Sequence, residues 1–101
     1  MTPIAVFTTT ATIDEARTIA RTLVERKLVA CAQISAIESF YRWNGAVQNE
    51  PEFRVLLKTT SDRYGAVEQA VRELHSYELP AIHSIAFDQI YAPYAEWIDA
   101  R

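Results

Sequence analysis

The hydrophobic positions change period along the chain, from about two residues to about 3.6 and back, which is the signature of strands alternating with helices. Ile4 to Thr9 is a β-branched and aromatic run that predicts a buried strand. Ile13, Ala16, Ile19, Ala20, Leu23, Val24 and Leu28 then recur at helical spacing, with Arg17, Arg21, Glu25 and Arg26 on the other side. This predicts a one-face amphipathic helix, and Thr12 with Glu15 matches the capping box that satisfies its first backbone donors. From Val29 to Trp43 there is neither Gly nor Pro, and the apolar weight moves from one alternating phase to the other near Ala36-Ile37. A long strand buried in part on both faces, with a bulge at that point, would carry such a pattern. Asn44-Gly45 is a strong hairpin signal, so the run from Val47 to Thr59 is its return strand, with Pro51 at an edge or a bulge.

Ser61 is a candidate cap for a second helix carrying Tyr64, Val67, Val71 and Leu74, in which Gly65 costs about 1 kcal/mol relative to Ala. Ala81 to Phe87 reads as a last strand, and Tyr91 to Ile98 as a final helix with Pro93 in its first turn. The order β-α-β-β-α-β plus a terminal helix predicts an α+β fold, the ferredoxin-like split βαβ arrangement, in one domain over residues 1–101. Its helices cover one sheet face. Even positions of the middle strands include Ile34, Phe40 and Leu56, too apolar a set for a wet face, and this points to oligomerisation.

With 101 residues, half of them hydrophobic and only 2 Gly and 4 Pro, the chain has the makings of a compact core. The 10 basic and 13 acidic residues leave a net charge of −3, which argues against nucleic acid as a partner. No apolar run approaches the ~18 residues of a membrane helix, and no basic stretch precedes Ile4 as in a signal peptide. The single cysteine, Cys31, excludes an intrachain disulfide and suits a reducing compartment, so a cytoplasmic protein is expected.

Four groups of residues carry candidate chemistry. His75-Ser76-Tyr77-Glu78 crowds an imidazole, a phenol and a carboxylate between a helix and a strand. It suits a metal or a polar ligand, or else a local arrangement in which His75 meets the helix C-terminus and Tyr77 packs. Cys31 is a small hydrophobe on a central strand or a soft ligand for copper. Tyr41 and Trp43, two residues apart on one strand face, form a stacking platform or a subunit interface. Glu52 and Lys58 lie on one face of the return strand, either as solvated charges or with Lys58, at the end of an apolar run, holding an anion or carboxylate. No phosphate loop, nucleophile elbow or His-x-x-x-His pair occurs, so no enzyme class is indicated.

Taken in order, these stretches resemble the CutA-type divalent-cation tolerance proteins. Leu28-Val29-Ala30-Cys31-Ala32-Gln33 resembles their Leu-Ala-Ala-Cys-Val-Asn, and Ser39 to Gly45 their Ser-x-Tyr-x-Trp-x-Gly hairpin. Glu52 to Thr60 is similar to their Glu-to-Lys-Thr strand, and His75 to Ile82 to their His-Pro-Tyr-Glu-x-Pro-Glu-Ile signature. Tyr94 and Trp97 match their terminal Tyr-x-x-Trp. The chain departs from the family in having Ser76 for the signature Pro and Ala81 for its second Glu. Thr8 and Leu74 stand where some members carry a Cys and a second His.

The resemblance implies a homotrimer similar to PII signalling proteins, a metal-response role centred on copper or another divalent metal, no required cofactor and no established reaction. It also implies an intersubunit cleft lined by Tyr41, Trp43, Glu52, Lys58, Tyr77 and Glu78, with Glu78 or Glu52 of a neighbouring copy beside Lys58. With one Cys and no His beside His75, one chain offers few soft ligands, so copper binding is expected to be weak or shared, through His75 with groups from adjacent copies and Cys31 as a further weak ligand. The loss of a carboxylate at Ala81 turns the cleft toward small anions, and an enzyme or metabolite-binding trimer using the same cleft is the alternative function.

Overall fold

The sheet is built from four antiparallel strands, which lie side by side in the order β2 (Cys31–Trp43), β3 (Ala46–Thr60), β1 (Pro3–Thr10) and β4 (His83–Ala86), the first two much longer than the others. The computed structural model describes residues 1–100. Along the chain run β1 (Pro3–Thr10), α1 (Ile13–Glu25), β2 (Cys31–Trp43) and β3 (Ala46–Thr60). A 3-10 turn (Ser61–Arg63), α2 (Tyr64–Leu74), β4 (His83–Ala86) and α3 (Ala92–Ala100) complete it. This is the ferredoxin-like α+β arrangement with an added terminal helix.

The core lies between the sheet and the two crossover helices. Ile4 and Val6 of β1 and Val55 and Leu57 of β3 meet Ala16, Ile19 and Leu23 of α1 and Val67, Ala70 and Val71 of α2. The helical period of α1 places its apolar stripe on the sheet, as expected, although Val24 at the stripe's edge stays 41% exposed. The helix ends on Lys27 at φ 59°, where Leu28 N–H reaches the Leu23 carbonyl and Lys27 N–H the Val24 carbonyl, both at 3.0 Å. That is a Schellman closure made without glycine. Only half of the expected capping box forms: Thr12 Oγ1 accepts from Glu15 N–H at 3.2 Å, while the Glu15 carboxylate is used elsewhere.

Several boundaries differ from the pattern in the sequence. β2 begins at Cys31 rather than Val29, although the Ala30 N–H still reaches the Lys58 carbonyl at 2.8 Å. β4 is limited to His83–Ala86, because β1 pairs with it only from Ile4 to Phe7. Ser61 opens a 3-10 turn instead of capping α2, and its N–H is taken by the Thr2 carbonyl at 2.8 Å. The expected bulge at Ala36-Ile37 is absent: β2 and β3 pair without a slip from Cys31↔Lys58 to Trp43↔Ala46.

The phase change has another cause. β1 ends at Thr10, opposite Phe53, which itself faces Ala36. Beyond that point seven cross-strand pairs, Ile37↔Glu52 to Trp43↔Ala46, continue as a two-stranded ribbon. At about 3.3 Å per residue the overhang is roughly 23 Å long. Pro51 lies in it, where β3 has no neighbour on its β1 side and a missing N–H is harmless.

The register also separates residues that share parity in the sequence. Directly opposed residues point to one face, so Ile34, opposite Val55, belongs to the helix-covered face, and Leu56, opposite Gln33, to the other. The second face is not bare. Lys58 on that face donates to the Tyr94 hydroxyl of α3 at 3.0 Å, and Ala5 and Ile98 are fully covered there.

Candidate functional site

Where the ribbon leaves the sheet, the chain after α2 crosses the end of β1, and His75 anchors it. The imidazole is buried. Its Nε2 lies 2.7 Å from the Thr9 carbonyl, and its Nδ1 accepts from Tyr77 N–H at 3.1 Å. Since Nδ1 accepts, the ring proton sits on Nε2 and is donated to Thr9. Glu15 holds the next residue, accepting from Ser76 N–H at 2.6 Å and from Ser76 Oγ at 3.1 Å. A carboxylate from the first turn of α1 thus fixes a loop 61 positions away.

Fixed in this way, Tyr77 packs against the His75 ring at 4.8 Å between centroids and donates its hydroxyl to Glu52 Oε2 at 2.8 Å. Glu52 is only 8% exposed. Burial, then the hydrogen bond to Glu52 and its charge, raise the Tyr77 phenol well above the usual phenol range, so it is protonated at neutral pH.

Tyr77 and Glu52 line a cavity of about 500 Å³. The ribbon also contributes Ser39, Phe40, Tyr41 and Trp43, and the loop contributes Glu78, Leu79 and Ala81. Five of the residues expected at a cleft, Tyr41, Trp43, Glu52, Tyr77 and Glu78, therefore line one space. Lys58 does not join them. It stands six positions along β3 from Glu52, roughly 20 Å away at strand spacing, with its ammonium on Tyr94 and 5.2 Å from that ring's centroid. The anion preference expected of the cleft has no basic side chain behind it, since the lining carries two carboxylates and no Lys or Arg.

The two expected metal ligands are also kept apart. Cys31 faces Lys58, whereas His75 contacts Thr9, whose partner on β3 is Arg54. Four strand positions, roughly 13 Å, lie between these points. Both ring nitrogens of His75 already have partners. Among the described residues, no three His, Cys, Asp or Glu side chains gather as a metal-holding group. Thr8, at the position of the family's cysteine, is buried with its hydroxyl unbonded.

Sequence reasoning did not identify Glu15 as part of this arrangement. Its spacing from Thr12 signals a helix cap, and no local pattern announces a partner so distant along the chain.

The family model of the CutA1 divalent ion tolerance protein matches residues 4–101. The chain belongs to the CutA1 family. A divalent-cation tolerance protein CutA of Archaeoglobus fulgidus is 35% identical over 94 residues, covering 93% of this chain and 92% of that one. A solved structure from the same organism, described as the periplasmic divalent cation tolerance protein CutA, matches with a TM-score of 0.94 at 34% identity, over 97% of this chain and 96% of that one. The divalent cation tolerance protein of Thermus thermophilus matches with a TM-score of 0.93 at 33% identity, over 97% of this chain and 96% of that one. Against the CutA1 signature, Ser76 in place of Pro now has a structural use, because proline has no N–H to give Glu15. Among the described residues, no helix is long and apolar enough to cross a membrane.

Proposed function

We propose that this CutA1 protein serves divalent-cation tolerance as a non-enzymatic homotrimer in the cytoplasm, with ligand clefts where the ribbons of its copies meet. The observation that carries the reading is the ribbon itself. Phe40, Trp43 and Val47 on it are 68, 48 and 66% exposed, next to a cavity whose wall the ribbon forms. Burying such side chains contributes roughly 1.5–3 kcal/mol each, enough to drive association of copies. The number three rests on the likeness of the sequence motifs to the family.

The lining chemistry supports sensing over catalysis. The cavity's phenol Tyr77 is held protonated, the lining contains no thiol or imidazole, and of its two carboxylates Glu52 is engaged by the Tyr77 hydroxyl. Among the described residues of a single chain, no three His, Cys, Asp or Glu side chains gather to hold copper. Copper at His75 would have to displace Tyr77 N–H or the Thr9 carbonyl, so its binding is weak or shared between copies. Native mass spectrometry with a panel of divalent metals tests this. Trimers that take up copper only at high concentration are expected. A monomer, or nanomolar copper binding that persists in His75→Ala, contradicts the reading.

A further inference from the structure

We infer that the cleft is built for a small organic ammonium ion, an alkylamine in its protonated form. The inference rests on the reading that this cavity is the ligand site and names the class of ligand it takes. Three features of the cavity converge on that class. Four aromatic side chains line it, Phe40, Tyr41 and Trp43 from the ribbon and Tyr77 from the loop, and aromatic rings are the apolar surface that attracts a cation. The charged side chains this chain contributes are Glu52 and Glu78, with no Lys or Arg of its own among the lining residues. Glu52 is a carboxylate more than nine-tenths buried, with Tyr77 donating to one of its two oxygens. A carboxylate has about four acceptor positions, so the other oxygen retains capacity for a second donor.

A bare divalent metal is best held where three or more carboxylate, imidazole or thiolate side chains converge, and the described residues gather no such group of His, Cys, Asp or Glu. An ammonium asks for less: one charged acceptor, and ring faces around its methylene groups. The cavity's volume of about 500 Å³ is in the range of small-molecule sites. Tyr77 holds its proton on Glu52, so the phenol orients the carboxylate without cancelling its charge.

The two tryptophans give a built-in assay. Trp43 lines the cavity, and Trp97 stacks on Tyr94 in α3, with centroids 5.6 Å apart. Their indole N–H signals are followed by NMR while n-propylammonium chloride is titrated, with sodium propionate and magnesium chloride as controls. The Trp43 signal should shift saturably with propylammonium alone, and Trp97 should stay in place. Glu52→Gln keeps an acceptor for Tyr77 while removing the charge, and should weaken the response by about tenfold or more, equivalent to about 1.4 kcal/mol. If the Trp97 signal shows that variant to be misfolded, Glu78→Gln makes the same comparison. Absence of a saturable shift, an equal shift with propionate or magnesium, or a response undiminished in the charge-removing variant overturns the inference. Native mass spectra of the same samples separate the two readings: trimers indifferent to propylammonium defeat the ligand class only, and monomers defeat the assembly.

Discussion

Glu15 shows how one side chain can link two distant parts of the chain. Its backbone N–H belongs to the cap of α1, and its carboxylate receives both donors of Ser76. Hydrogen bonds to a charged acceptor contribute more than neutral ones, so Glu15→Ala should lower unfolding stability by about 1–2 kcal/mol. Urea denaturation would check it, and a double-mutant cycle with Ser76→Ala should show the two losses to be non-additive. Tyr77 sets a pH dependence. Its phenol is raised above its ordinary value of about 10 by burial first and then by Glu52. Between the unfolded and folded values the native state keeps a proton that the unfolded chain has lost, so stability falls as pH rises. Tyr77's contribution is therefore intact below about pH 10 and declines above it. Tyr77→Phe should remove part of that alkaline decline in thermal melts, the remainder including Tyr64, whose phenol is also raised.

At the scale of elements, periodicity and turn chemistry carried most of the information. The α1 stripe, the Asn44-Gly45 turn and Pro93 in the first turn of α3 were legible because each rests on local geometry: Asn44 and Gly45 both take positive φ, as a tight hairpin requires. The false bulge at Ala36-Ile37 arose because a phase change records what covers a strand, and the cover changes where β1 stops. The pairing of Leu56 with Ile34 on one face failed because parity within each strand says nothing about register between strands. In the cleft, Tyr41 and Trp43 were grouped with Glu52 by the resemblance to the family together with strand phase, whereas the separation of Lys58 from them within one chain depended on distance along β3 and on α3 folding back over the sheet. Gly65 offers a test of local reasoning. A Cβ there would meet nothing within 4 Å, and its backbone is helical. Gly65→Ala should therefore raise stability by about 0.5–1 kcal/mol in denaturant titrations, leaving the cleft unaffected.

The whole molecule is longer than a domain of its size requires. Its radius of gyration is 14.1 Å, against about 13 Å for a compact chain of 100 residues, and its extents are 45 × 27 × 21 Å. The excess lies in the ribbon, which carries exposed aromatics and, past Thr10, an unpaired β3 edge. Isolated ribbons of this kind are marginal in water, and open edges invite pairing. Both difficulties disappear if copies of the chain join ribbon to ribbon, burying more than about 1,000 Å² at each contact as stable interfaces do. The cleft would then stand at the junction, with assembly and ligand binding sharing Trp43. Sedimentation equilibrium at micromolar concentration tests this most directly. The account predicts a single species of three times the 11.5 kDa chain mass, converted to smaller species when Phe40 and Val47 are both replaced by Lys. A wild-type chain sedimenting at 11.5 kDa would contradict it.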